Sequence, residues 1–146
     1  MLKKISPLIS SELLKILDEM GHGDEIVFAD ANFPSASRAA KHIIPANGIG
    51  IDVLLDAVLD LFPVDTFVEK PIKLMQVVPG DDYKPVIWDA YKKILAKYGI
   101  TEDKIDYLDR FDYYNQADRA YCVVSTGERA LYANVIVKKG VILLNH

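Results

Sequence analysis

One histidine and one aspartate stand out by type and position. His22 sits between Gly21 and Gly23, and Asp30 follows the short apolar run Ile26-Val27-Phe28-Ala29. Glycine on both sides lets the backbone turn sharply and leaves room beside the ring. An imidazole on such a turn can give and take a proton near neutral pH. A solvated turn histidine with no function fits the same residues. If the apolar run is a strand of an open α/β sheet, Asp30 marks the end that faces the ligand crevice of such sheets. A carboxylate there can accept hydrogen bonds from two vicinal hydroxyls, or orient His22.

Other chemistry finds less support. Asp52, Asp56 and Asp60 recur at spacing four, which fits a wet helix face better than a metal site. His42 and His146 have no ligand partners at metal spacing. There is no Gly-x-Ser-x-Gly elbow and no histidine-carboxylate helix pair, which argues against a hydrolase or metalloprotease. Gly48-Ile49-Gly50 lacks the third glycine and the leading strand of a dinucleotide fingerprint, so it reads as a turn. Cys122 lies among apolar neighbours and reads as core, with a catalytic thiol as the lesser alternative. Glu128 and Arg129 fall in a turn and pair with each other or with water.

The elements that must position these groups follow from periodicity. Ser10 is an N-cap, Ile9 and Leu14 sit at the positions of a hydrophobic staple, and Leu13, Leu14, Leu17 and Met20 share a face. A helix over 11–20 results, closed by Gly21 in the left-handed conformation. Residues 26–29 make a strand buried on both faces. Ser35 or Ser37 caps a short helix through Ala40, and Ile43-Ile44 is a strand stopped by Pro45. Ile51, Leu54, Leu55, Val58, Leu59 and Phe62 form the broadest apolar stripe, on a helix ended by Pro63. Strands are expected over 66–68, 72–78, 105–108, 121–124 and 135–137. A helix from Pro85 to Gly99 carries Trp88, Tyr91, Leu95 and Tyr98 on one face, suited to core or a subunit interface more than to a sugar site. Asp112 caps a helix bearing Tyr113, Tyr114 and Ala117. Alternating strands and helices predict an α/β, three-layer single domain over 1–146, its largely parallel or mixed sheet between helices.

Composition narrows the function classes. Apolar residues make up 51% and charged residues 26% of 146, a globular balance that needs no staples. A net charge of −4 disfavours nucleic acid, and the Lys92, Lys93 and Lys97 cluster suits a helix C-terminus. The single cysteine cannot form an internal disulfide and fits a reducing cytoplasm. Met1-Leu2-Lys3-Lys4 lacks signal-peptide character, and no run nears the ~20 apolar residues of a membrane span.

Gly21-His22-Gly23-Asp24-Glu25-Ile26 followed by Asp30-x-Asn32-Phe33-Pro34 resembles the opening motif of the RbsD/FucU family of sugar mutarotases and pyranases. The likeness continues through Arg110-Phe111 and Tyr132-Ala133-Asn134, in order, across nearly the whole chain. Ring opening of an aldose needs a proton taken from the anomeric hydroxyl, one given to the ring oxygen, and groups that hold the other hydroxyls. His22 can shuttle a proton, Arg110 offers a fixed fork of donors, the Tyr132 phenol donates and accepts, and Asn134 does both on one amide. On an extended segment Tyr132 and Asn134 would share a face. Without the resemblance, Arg110 fits a surface ion pair, Tyr132 a core ring and Asn134 a strand-start turn equally well.

The resemblance implies His22 as the acid/base and Asp30, Arg110, Tyr132 and Asn134 as the sugar-binding set. It implies no cofactor and no metal, and a homo-oligomeric ring, commonly a decamer, with sites at subunit boundaries. It implies anomer interconversion of L-fucose; D-ribose pyranase activity or non-catalytic monosaccharide binding are the alternatives. Arg110-Phe111 with Tyr114, and Leu61-Phe62-Pro63-Val64-Asp65, look like the fucose branch. Ala133 stands where that branch carries glycine, which is closer to the ribose branch.

Overall fold

Successive side chains of a strand point to opposite faces, and in the strand β1 (Glu25–Ala29) both faces are apolar. Ile26 and Phe28 enter one core cluster, Val27 and Ala29 another. The computed structural model describes residues 1–145 and builds a six-stranded mixed sheet around this strand. The remaining strands are β2 (His42–Ala46), β3 (Ile72–Met75), β4 (Ile105–Leu108), β5 (Cys122–Thr126) and β6 (Val135–Lys138). Their spatial order is β2-β5-β1-β6-β3-β4. β1 pairs parallel with β5 and antiparallel with β6; β3 pairs parallel with β4 and antiparallel with β6.

Helices cover both faces, giving three layers. The larger core packs α1 (Ser11–Glu19), α2 (Ile51–Leu59) and α3 (Ile87–Lys97) on Ile26, Phe28, Val124, Val135 and Leu74. The smaller core packs Tyr113 and Ala117 of α4 (Arg110–Asp118) on Val27, Val123 and Ile136. Each large side chain so buried contributes about 1.5–3 kcal/mol. Among the described residues no helix is long and apolar enough to cross a membrane.

Several local expectations change once the chain is folded. α1 is not closed by a left-handed Gly21: the positive φ belongs to Gly23, at 89°. The helix end is capped instead from a distance, because the Lys139 ammonium donates to the Leu17 and Met20 carbonyls, where a cation also suits the dipole. Pro45 lies within β2 instead of stopping it, as an edge strand allows. Residues 66–68 form no strand; Phe67 is exposed in a loop. The short helix from Ser35 is a single 3-10 turn over Ser35–Ser37. β3 stops at Met75, and β5 runs on to Thr126, past the expected end at 124. Asp109, not Asp112, caps α4, accepting from the Asp112 N–H at 2.9 Å. Asp56 and Asp60 are engaged by the end of α3: the Tyr98 hydroxyl shares its one hydrogen between the two carboxylates, and Lys97 donates to Asp56.

Candidate functional site

Strand direction gathers one set of polar residues at a single sheet edge. β1, β3 and β4 end there, and β6 begins there because it runs antiparallel. Asp30 follows β1, Arg110 opens α4 after β4, and Tyr132 and Asn134 precede β6. The Asp30 N–H donates to Asn134 Oδ1 at 2.7 Å, joining the two strand ends. Asp30 Oδ1 accepts from the Asn32 N–H at 2.9 Å, a local turn typical of aspartate. Asp30 is buried, and burial raises its carboxyl above the usual 3.8; the Asn32 and Phe33 N–H groups and the Asn134 amide oppose this, while the Glu128 charge adds to it.

Asp30, Tyr132 and Asn134 line a cleft of about 230 Å³ together with Phe33, Asp81 and Tyr114. Arg110 is exposed, its guanidinium 5.5 Å from the centroid of Tyr114, a cation–π contact. Among the described residues it forms no ion pair. The Tyr132 hydroxyl donates to Asp81 Oδ2 at 2.8 Å, and its ring stacks on Tyr83. The Asp81 contact holds the phenol above its ordinary pKa, and nearby Arg110 works the other way. Tyr132 and Asn134 do not share a face of an extended segment: Tyr132 is left-handed, with φ 56°. Such a conformation costs a residue bearing a Cβ about 1–3 kcal/mol. Both side chains still reach the cleft.

His22 lies at the opposite edge. It precedes β1, whose five residues at ~3.3 Å each separate it from Asp30 by roughly 17 Å or more. Asp30 therefore does not orient it. The partner is Asp65, a residue with no visible sequence link to the imidazole: His22 Nε2 lies 3.0 Å from Asp65 Oδ1. The imidazole is 44% exposed and the carboxylate 2%. Asp65 Oδ1 also accepts from the Phe67 N–H, and Phe67 packs 5.2 Å from the imidazole. Burial opposes ionisation of Asp65, but the Phe67 N–H, the His22 contact and Lys138 outweigh it and hold the carboxyl below 3.8. An ionised carboxylate only accepts. Nε2 must then carry the hydrogen, leaving the Nδ1 lone pair of the neutral ring free.

The end of β6 brings these two residues together. Gly23 N–H donates to the Lys139 carbonyl, pinning the histidine turn. Asp65 N–H donates to the Lys138 carbonyl, and Val64 bridges Lys139 antiparallel, pinning the Asp65 loop. Gly140 makes the approach possible, since a Cβ there would lie 2.7 Å from the Asp65 Cα. The one sequence signal near Asp65 was the Leu61–Asp65 run, which carried no hint of the histidine.

Other residues settle into structural work. Glu128 pairs with backbone, not with the Arg129 guanidinium: it accepts from the Ile51, Arg129 and Ala130 N–H groups and thereby caps α2. Cys122 is buried in the core, its thiol pushed up to about 12 by desolvation. His42 packs its ring against Tyr121, and His146 lies outside the described residues.

Comparison with known proteins gives a consistent picture. The model of the RbsD / FucU transport protein family matches residues 3–142. The L-fucose mutarotase of Actinobacillus pleuropneumoniae serotype 5b is 48% identical over 97% of both chains. The fucose mutarotase of Homo sapiens is 46% identical over 99% of this chain and 96% of its own. The crystal structure of the fucose mutarotase from Streptococcus pneumoniae in complex with L-fucose superposes with a TM-score of 0.93 at 50% identity, covering 97% of this chain and all of that one.

Proposed function

Because the chain belongs to the RbsD/FucU family, we propose that it is an L-fucose mutarotase, a cofactor-independent isomerase that interconverts the α and β anomers. The observation that carries this is the convergence of Asp30, Arg110, Tyr132 and Asn134 on one sheet edge, in a chain about half identical to fucose mutarotases along its whole length. The Asp30 carboxylate accepts from sugar hydroxyls, the Asn134 amide NH2 donates to them, and Arg110 adds fixed donors. Tyr132, its own proton committed to Asp81, meets the sugar as an acceptor. His22 Nδ1 takes the proton of the anomeric hydroxyl. The bond from the anomeric carbon to the ring oxygen breaks, an aldehyde forms, and the imidazolium of His22 gives its proton to the ring oxygen. Rotation of the aldehyde and reversal of these steps give the other anomer, with no net proton or electron consumed.

The separation of His22 from the other four supports a site completed by a second copy of the chain. A cleft of about 230 Å³ is small beside the ~300–1,000 Å³ of typical ligand pockets, as half a site would be. Apolar surface flanks both halves. Phe67 and Ile142 are exposed on the His22 side, Phe111 and Leu131 on the other. Two different patches at opposite edges suit a head-to-tail contact, the kind that forms a ring when its rotation closes. This supports the homo-oligomeric ring, a decamer, that the family resemblance implies. The lone buried cysteine suits a reducing compartment, and we place the protein in the cytoplasm.

Saturation-transfer NMR on equilibrated L-fucose tests the assignment. Exchange between the anomer signals rises in proportion to protein, and by more than pyranose–furanose exchange of D-ribose does. Binding without faster exchange would leave only a sugar-binding protein; faster exchange of ribose than of fucose would make it a pyranase.

The raised carboxyl of Asp30 sets a pH dependence. Its acceptor role needs the ionised form, so KM for fucose rises as pH falls through a midpoint above 3.8. The same shift makes ionisation of Asp30 costly to the fold, so its contribution to stability declines as pH rises from the unfolded value through the raised folded one. Asp30→Asn removes this component of the KM profile. A profile unaltered by that substitution would remove Asp30 from sugar binding.

A further inference from the structure

Tyr132 and Lys4 are the non-glycine residues with positive φ among the described residues, and Lys4 sits in the N-terminal turn. The strained position of Tyr132 therefore coincides with the sugar cleft. Two side chains from one face of α3 grip the two successive peptide carbonyls that follow its strained φ. The Trp88 indole N–H donates to the Tyr132 carbonyl at 2.8 Å, and the Tyr91 hydroxyl donates to the Ala133 carbonyl at 2.6 Å. We propose that Trp88 and Tyr91 are positioning residues for the mutarotase reaction, fixing the backbone at Tyr132 and Ala133 so that Tyr132 stays left-handed and its phenol stays in the sugar cleft. This rests on the sugar site described above.

The surroundings make the clamp rigid. Trp88 packs 5.2 Å from the Tyr107 ring of β4. Tyr91 is 1% exposed, and burial pushes its hydroxyl far above the phenol range, so it remains a donor. α3 is itself tied to α2 by Tyr98 and Lys97. Without the two donors, a residue with a Cβ returns to the extended region, where its backbone is unstrained. That rotation about φ carries the phenol away from Asp81 and from the cleft. The contacts to Asp81 and Tyr83 come from an exposed loop and hold only the far end of the side chain.

Trp88→Phe keeps an aromatic ring and removes the donor. It lowers kcat for fucose anomer exchange about 10- to 100-fold, the scale on which small misplacements of a reacting group act. In a Tyr132→Phe background the same change has little further effect, since the hydroxyl it positions is already gone. Tyr91→Phe shows the same dependence on background. Equal losses in both backgrounds, or no loss in either, overturn the proposal.

The chain has one tryptophan, so a single indole N–H signal reports the clamp in the unaltered protein. That proton exchanges slowly with water and its signal moves on adding fucose. A rapidly exchanging, fucose-insensitive indole overturns the clamp even if the variants fail to fold. Fucose binding without faster anomer exchange would defeat the mutarotase assignment instead; the clamp is then read from affinity, which Trp88→Phe weakens only when Tyr132 is intact.

Discussion

A one-to-one mixture of His22→Ala and Arg110→Ala chains recovers fucose mutarotation that neither protein shows alone. Removing a general acid/base costs about 10²–10⁴-fold, so the His22→Ala protein is close to silent. Arg110→Ala empties the donor fork from the sugar half of the site. His22 and Arg110 stand at opposite edges of one sheet, on the N-terminal side of β1 and after the C-terminal end of β4. A site made by two copies takes its histidine from one and its arginine from the next. In a random mixed ring about one contact in four joins an intact histidine to an intact arginine, so about a quarter of the original activity returns. Both residues are exposed, so neither substitution leaves a core cavity. The two chains are coexpressed with different tags, and the mixed assembly is confirmed by mass before anomer exchange is measured. Activity no greater than the sum of the parents in a verified mixed ring would end the shared-site account.

Asp65→Asn lowers kcat by about 10²-fold or more while leaving KM for fucose nearly unchanged, because Asp65 orients the ring proposed as the acid/base and lies away from the proposed sugar-binding residues. The carboxylate accepts from Nε2 and keeps the Nδ1 lone pair available. An asparagine side chain presents both an acceptor and a donor, so it no longer selects one tautomer. Nitrogen-15 NMR of the imidazole reads this directly: Nε2 is protonated in the original protein, and a tautomer mixture appears in the variant. The Phe67 N–H can still donate to the amide oxygen, so the loop fold survives. An unchanged kcat together with a changed tautomer would remove the tautomer from the mechanism.

Linkage supplies a stability signature for the same residue. The folded carboxyl of Asp65 is held below 3.8. Its ionised form therefore stabilises the protein above the unfolded value, and that contribution is lost as pH falls through the lower folded value. Asp65→Asn lacks this acid-limb component.

Much of the frame was legible before folding. The apolar stripe from Ile51, the doubly buried run before Asp30 and the Ser10 cap depend on residues close in sequence, and each begins where period and chemistry place it, although α2 stops at Leu59, short of Pro63. The misreadings at Gly21 and Tyr132 share a cause: the deciding partner is distant in sequence. Gly21 looked like the end of α1, yet the ammonium that caps the helix comes from Lys139. Tyr132 looked extended, yet donors on α3 stabilise it left-handed. Asp30 looked able to serve His22, but β1 itself holds them apart.

The chain's own order of residues determined which side chains could do acid/base and polyol chemistry, and which segments would bury an apolar face, because periodicity and capping act over a few neighbours. The tertiary structure alone decided who meets whom. The antiparallel insertion of β6 between β1 and β3 puts Asn134 beside Asp30 at one edge and draws Asp65 to His22 at the other. That pairing is selected by burying Val135, Ile136 and Val137 against helices on both faces, a long-range gain that no local stretch encodes.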